Sequence, residues 1–345
     1  MPEVFLQLNK KDRGDALGVA GEKSRRPTHL LEKDAWVVWA LRTVFQAPFG
    51  PQLVFKGGTS LSKAYGAIKR FSEDIDLTYD IRAIAPDLVG EANAEALPPS
   101  KSQEKRWTKD IKDRLSQWVV ATVHPLIQRV LQDERLPATA SIDPDKKHIV
   151  RIEYEHTDEG SGYVKPVVML DFGARSTGEP CAPFDVRCDA AKFLPELEFP
   201  VSTPRVMKVE RTFWEKATAV HVYCLGGKLR SSRFSRHWYD LVQLDSAGHA
   251  TPALAMRDLA ERVARHKSWF FAEKDEVGVV IDYALAVGGQ LRLVPPSGRR
   301  LADLEEDYTK MLEDGLLLDA STPFEEVIAQ CGALEARVNA AMQAR

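Results

Sequence analysis

The chain reads as an α+β protein, with a mixed sheet flanked by helices in residues 1–204 and a mainly helical region in 205–345. Three observations predict this. The stretch "IVRIEYE" (149–155) alternates apolar and polar residues, the mark of a half-buried strand. "QLVF", "DIDLTYD" and "VVMLDF" are short apolar runs bounded by glycine, proline or acidic residues, as buried strands are. Beyond about residue 205 the spacing turns helical, as in "VERTFWEKATAVHVYCL" and "RHWYDLVQLDS".

The elements follow in order. The first thirty residues are polar and predict a helix and an arm. "LEKDAWVVWALRTVFQAPFG" predicts a buried helix carrying Leu31, Trp36, Trp39 and Phe45, stopped by Pro48, Gly50 and Pro51. "QLVF" is a strand, "TSLSKAYGAIKRF" a helix after a glycine pair, and "DIDLTYD" a second strand. Residues 81–105, with "LPPSKSQEK", lack periodicity and read as a mobile insertion. "TKDIKDRLSQWVVATVHPLIQRVLQDE" is an amphipathic helix that Pro125 bends or divides. The strands "KHIVRIEYEHT" and "GYVKPVVMLDFGAR" follow, and the two regions join near Pro200–Pro204. The last 45 residues are mainly helical, and there is no internal repeat.

Composition narrows the function. The 345 residues, 44% apolar and 28% charged, suit two ordinary globular domains. A net charge of −3 gives no global nucleic-acid signature, so any basic surface is local. No apolar run approaches the roughly 18 residues of a membrane span, and the N-terminus has no signal-peptide core, so a cytoplasmic protein with no membrane partner is expected. Cys181, Cys188, Cys224 and Cys331 form no CxxC pair and read as reduced thiols.

The chemistry concentrates in "FKGGTSLSKAYGAIKRFSEDID" (55–76). Gly57 and Gly58, between a strand and a helix, let backbone N–H groups approach a phosphate, and Thr59 and Ser60 add hydroxyls. The spacing fits neither a Walker A loop nor G-x-G-x-x-G, and alone it reads as a turn. Asp74 and Asp76 lie one residue apart on a strand, so both point to the same face. Alone they are an acidic surface. After a glycine pair and a helix they suit Mg²⁺ (or Mn²⁺), which binds through carboxylates and substrate phosphates. Asp171 ends the apolar strand "VVMLDFG", where a charge is out of place unless ligated, paired or capping a turn at Gly173, and it offers a third carboxylate.

"FKGGTSLSKAYGAIKRFSEDIDL", "VKPVVMLDFGARS", "VERTFWEKATAVH" and "SRHWYDLVQL" together resemble the AbiEii/MenT family of nucleotidyltransferase toxins, within the polymerase-β-type superfamily. The resemblance spans roughly residues 30–245. It implies a nucleotidyltransferase-like catalytic domain (1–204) with a helical domain (205–345) completing the active site. It implies a toxin of a toxin–antitoxin, phage-defence locus that moves an NMP from an NTP to RNA, at the tRNA 3′ acceptor end, stopping translation. It also implies a cognate antitoxin, AbiEi-like or other. By matching position, Gly58 and Ser60 lie in the phosphate loop, and Asp74, Asp76 and Asp171 are metal ligands. Lys216 matches the family's lysine and Asp240 its final aspartate. In bottom-up terms Lys216 supplies charge to the triphosphate or is a surface lysine. Asp240 holds Lys216 or Arg236, orients the base or ribose, or is a surface aspartate paired with Arg236.

Ser72 reads as a turn hydroxyl or a regulatory phosphorylation site, where added negative charge would oppose metal and NTP binding. Between Arg205 and Asp240, eight Lys and Arg face three Asp and Glu. Lys228, Arg230, Arg233 and Arg236, interleaved with Phe234 and Trp238, suit an RNA acceptor, or else form a solvated basic loop with Trp238 in the core. Competing readings are the same chemistry on a protein hydroxyl or small molecule, and a non-catalytic NTP- or antitoxin-binding module.

Overall fold

The computed structural model describes residues 2–72, 74–90, 95–158, 165–226, 234–313, 317 and 322–344. The chain packs as two compact units. The first comprises Met1–Ala64, Phe71–Ala92 and Trp107–Met207, and the second Tyr65–Arg70, Asn93–Arg106 and Lys208–Arg345.

The first unit is built on a seven-stranded mixed sheet. Its strands are β1 (Leu53–Lys56), β2 (Asp74–Tyr79), β3 (Ala138–Ile142), β4 (Ile149–Tyr154), β5 (Val167–Gly173), β6 (Cys181–Pro183) and β7 (Arg205–Met207). They lie in the order β3-β4-β5-β2-β1-β7-β6. β2–β5 and β1–β7 are parallel and the other pairs antiparallel. Strand alternation sends Ile75, Leu77, Leu170 and Phe172 into the core and leaves Asp74, Asp76 and Asp171 on the opposite face.

Two helices of this unit bear on the site. α1 (Lys10–Ser24) precedes α2 (Thr28–Phe45), which is buried along nearly its whole length and packs on β5. Trp36 stacks on Tyr154, and Trp39 donates its indole N–H to Glu134. α3 (Gly57–Lys63) follows β1 with no intervening loop and packs against β1 and β2. The Gly57 backbone makes this possible with a φ of +79°, a left-handed value that glycine tolerates.

α4 (Lys101–Trp118) and α5 (His124–Asp133) are joined by a π-helical turn at Val119–Val123. Pro125 has no N–H to give an α-helical ladder, and the wider turn lies just before it. The second unit contains α6 (Val209–Gly226), α7 (Arg236–Ser246), α8 (Arg257–Phe270), α9 (Arg299–Glu313) and α10 (Phe324–Gln343). Trp214 and Trp238 are buried in it, and both donate their indole N–H to backbone carbonyls. All four cysteines are free thiols. Among the described residues no helix is long and apolar enough to cross a membrane.

Two local expectations are corrected, and one strand is added. The helix after the glycine pair ends at Lys63 instead of running to Phe71, because Gly66 takes a φ of +58° and the chain turns away. Residues 81–105 are not one unstructured insertion: Ile81–Ile84 and Pro86–Val89 are helical, the first capped by the Asp80 carboxylate, and α4 starts at Lys101. β3, with its small-residue sequence "ATASI", is an added edge strand.

Candidate active site

In the first unit, the register across three strands puts Lys56 opposite Asp76 and Asp76 opposite Asp171. Directly paired residues share a face of the sheet, so one row reads cation, carboxylate, carboxylate. Asp74 lies on the same face two residues before Asp76. Beyond Asp171 stands β4, and His148, just before it, brings Nε2 to 3.8 Å from the Asp171 carboxylate. Burial and the Asp76 charge raise the Asp171 pKa, and His148, Lys56 and Lys146 partly offset them. The Asp171 side chain is 43% exposed, so solvent screens much of this effect.

α3 braces the acidic pair from the other side. A Cβ at Gly57 would lie 2.0 Å from Asp76 Oδ2, so this glycine leaves the space the carboxylate occupies. The buried Thr59 hydroxyl donates to the Asp74 carbonyl at 2.5 Å and also bonds the Ser72 hydroxyl at 2.9 Å. One hydroxyl proton serves only one of these partners, so the Ser72 proton completes the pair. Ser60 Oγ donates to the Gly57 carbonyl at 2.9 Å and is fully buried. Both hydroxyls thus bond within the protein, Thr59 to the Asp74 carbonyl and Ser72, and Ser60 to the Gly57 carbonyl, and so shape the loop.

The donor set suits a hard divalent cation, since carboxylate oxygens on one sheet face next to a glycine-made space are the ligands Mg²⁺ or Mn²⁺ prefers. Among the described residues no three His, Cys, Asp or Glu side chains are gathered closely enough to cage a metal unaided.

In the second unit, Asp240 on α7 is fully buried and grips two cations. Arg70 Nε and Nη2 meet its two oxygens at 2.7 and 2.8 Å, and Lys216 Nζ on α6 meets Oδ2 at 2.8 Å. Burial opposes ionisation of Asp240, but Arg70 and Lys216 outweigh it and hold the carboxyl well below the usual range. Lys216 is displaced downward by burial and by Arg70 and Arg236, against the pull of Asp240. Burial and the same cations keep His237 neutral. Asp240 therefore does hold Lys216, and the partner that the sequence did not reveal is Arg70, 170 residues away. Lys216 is neither a surface lysine nor an open point charge.

Lys228, Arg230 and Arg233 lie outside the described residues. Arg236 opens α7 and is half-buried. Phe234 and Trp238 are core residues, at 6% and 0% exposure, so the alternative with Trp238 in the core holds and neither ring is free to stack on bases. Lys56 was also missed: it directly precedes the glycine pair, but only the sheet register shows that it faces Asp76.

A family model described as nucleotidyl transferase AbiEii toxin, type IV toxin–antitoxin system, matches residues 39–330. The chain belongs to the AbiEii family. It is a nucleotidyltransferase of toxin–antitoxin type, and the family implies an NTP substrate and an antitoxin partner. No curated protein matches this AbiEii sequence. Among solved structures, MenT4, a nucleotidyltransferase toxin from Mycobacterium tuberculosis H37Rv, aligns at 17% identity and a TM-score of 0.44, covering 95% of this chain and 99% of its own. A candidate nucleotidyltransferase from H. pylori aligns at 15% identity and a TM-score of 0.44, covering 92% and 97%.

Proposed function

We propose that this AbiEii protein transfers an NMP from an NTP to an RNA acceptor, the tRNA 3′ end, and so blocks translation. The supporting observation is the row Lys56–Asp76–Asp171, with Asp74 on the same face, beside a glycine that leaves room for the Asp76 carboxylate. The acceptor hydroxyl oxygen attacks the α-phosphorus. The bond from that phosphorus to the bridging oxygen breaks, and pyrophosphate leaves with the electron pair.

Asp74, Asp76 and Asp171 would hold Mg²⁺ (or Mn²⁺), which when bound supplies Lewis-acid charge to the α-phosphate and the leaving group. Asp171 is the carboxylate placed nearest the attacking oxygen, and so the one suited to take the acceptor proton. Lys56 balances the carboxylates from the neighbouring strand. The Gly57–Gly58 backbone borders the triphosphate, with Thr59 and Ser60 shaping that loop. Lys216 and Asp240 serve the same reaction, Asp240 by fixing the lysine rather than by touching the phosphates. Arg236, with Lys228, Arg230 and Arg233, grips the acceptor phosphates. Ser72 is a regulatory position, since a phosphate there would set negative charge against the Asp74 backbone contact. The protein works in the cytoplasm against a cognate antitoxin, AbiEi-like or other, in phage defence.

The test is incubation with each α-labelled NTP, Mg²⁺ and total cellular RNA, followed by separation of RNA, protein and small molecules. Label in tRNA is expected. Label in protein or in a small molecule would replace the acceptor, and no transfer with any NTP would sink the catalytic reading.

A further inference from the structure

Lys63, the last residue of α3, lies outside the carboxylate row, yet its side chain is 9% exposed and carries two ion pairs. Its Nζ stands 2.6 Å from Asp34 Oδ1 on α2 and 2.8 Å from Asp189 Oδ1. The Asp189 backbone N–H donates to Asp34 Oδ2 at 2.6 Å, and Arg26 pairs with the Asp189 carboxylate. The cluster is charge-balanced, with Lys63 and Arg26 against Asp34 and Asp189. Burial opposes the Lys63 charge, but the two carboxylates outweigh it and keep the ammonium protonated.

A buried ion pair such as Lys63–Asp34 is a poor way to gain stability, because desolvation cancels much of the attraction and an apolar side chain would serve as well. What it adds is direction: the ammonium has to meet two acceptors in fixed places. α3 needs such a fixture. At seven residues it is too short to hold itself as a helix. Its opposite end carries both contacts to the acidic strand, Gly57 against the Asp76 carboxylate and Thr59 on the Asp74 carbonyl. A shift or rotation of α3 changes both contacts at once.

We propose that Lys63, clamped by Asp34 and Asp189, is a positioning residue that sets α3 and through it the placement of the Asp74–Asp76 carboxylates. This rests on the reading of those carboxylates as the metal-binding, reacting side of the site. The pair contributes no group to the substrate; it fixes the helix that fixes the ligands.

The test compares wild type with the double variant Lys63→Met/Asp34→Asn, which leaves Asp189 paired with Arg26 and so keeps the cluster balanced. Three quantities are read: amide hydrogen exchange at Gly58–Ser62, Mn²⁺ binding by electron paramagnetic resonance, and kcat and KM for NTP. At least tenfold faster exchange, at least tenfold weaker Mn²⁺ binding, and a loss in kcat larger than the rise in KM are expected. Exchange and Mn²⁺ affinity within twofold of wild type, with only thermal stability lowered, would reduce the clamp to a structural feature and overturn the proposal. Should the double variant not fold, Asp189→Asn keeps the Lys63–Asp34 pair and is read the same way, with shifts of about threefold expected and none overturning the idea. If wild type itself takes up no Mn²⁺, the metal reading of the carboxylates fails, and hydrogen exchange alone then decides whether the clamp positions α3.

Discussion

Gly57→Ala isolates the contact on which the acidic pair depends. The new Cβ would sit 2.0 Å from Asp76 Oδ2 and 2.9 Å from its Cγ, whereas ordinary contact begins at 3.4 Å. The carboxylate therefore has to retreat by about 1.4 Å, the difference between 2.0 and 3.4 Å. It is the end of a side chain, so it can move while the fold survives. The backbone cost is the strain of a non-glycine residue at φ +79°, about 1–2 kcal/mol. Displacement of a reacting group by about 1 Å costs on the order of 100-fold in rate, equivalent to about 2.7 kcal/mol of barrier. Gly57→Ala is thus expected to unfold a few degrees earlier but to transfer nucleotide about 100-fold more slowly. Gly66→Ala is the control: it meets the same strain at φ +58°, but nothing lies within 4 Å of its Cβ. Thermal melts and labelled-NTP transfer on both variants separate the two effects. Equal loss of activity in both, or transfer by Gly57→Ala within threefold of wild type, would refute the reasoning.

Three further outcomes are expected. Asp240→Asn strips the buried Arg70 and Lys216 of their counter-charge and should cost about 3–5 kcal/mol in urea melts at pH 7. Because the folded-state pKa of Asp240 is depressed, its stabilisation is full above the ordinary carboxylate pKa near 4 and disappears as pH falls through the lower folded value. The variant should therefore show a flatter acid limb, and an unchanged one would contradict the pairing. Asp171→Asn should raise the melting temperature at pH 7, since burial and Asp76 disfavour the charged form, while abolishing transfer; a lowered melting temperature would show that its charge is well compensated. Ser72→Glu replaces the hydroxyl that bonds Thr59 with a charged side chain next to the acidic strand and should lower transfer at least tenfold without unfolding the protein, whereas wild-type activity would remove Ser72 as a switch.

The elements that position the site were largely legible in the sequence. "DIDLTYD" and "VVMLDF" became the adjacent strands β2 and β5, and "VERTFWEKATAVHVYCL" and "RHWYDLVQLDS" lie within or match α6 and α7. Alternation and helical spacing are local, so they survive reading one residue at a time. What the sequence concealed was register and long-range charge pairing. Nothing near Lys56 says that it faces Asp76, because strand register is set by the whole sheet. Nothing near Arg70 says that it closes on Asp240, far along the chain. Nothing near Lys63 says that it is buried, because its partner Asp34 lies on a separate helix. The early end of α3 followed from Gly66, whose left-handed backbone a helix-spacing argument does not weigh.

The most direct measurement is single-turnover transfer from α-labelled NTP to RNA in Mg²⁺ by wild type, Asp74→Ala and Asp76→Ala, each first shown to be folded. Wild type should label RNA and release pyrophosphate in equal amounts, and both variants should fall to background. Full transfer by either folded variant would contradict the assignment of the acidic pair as the reacting centre.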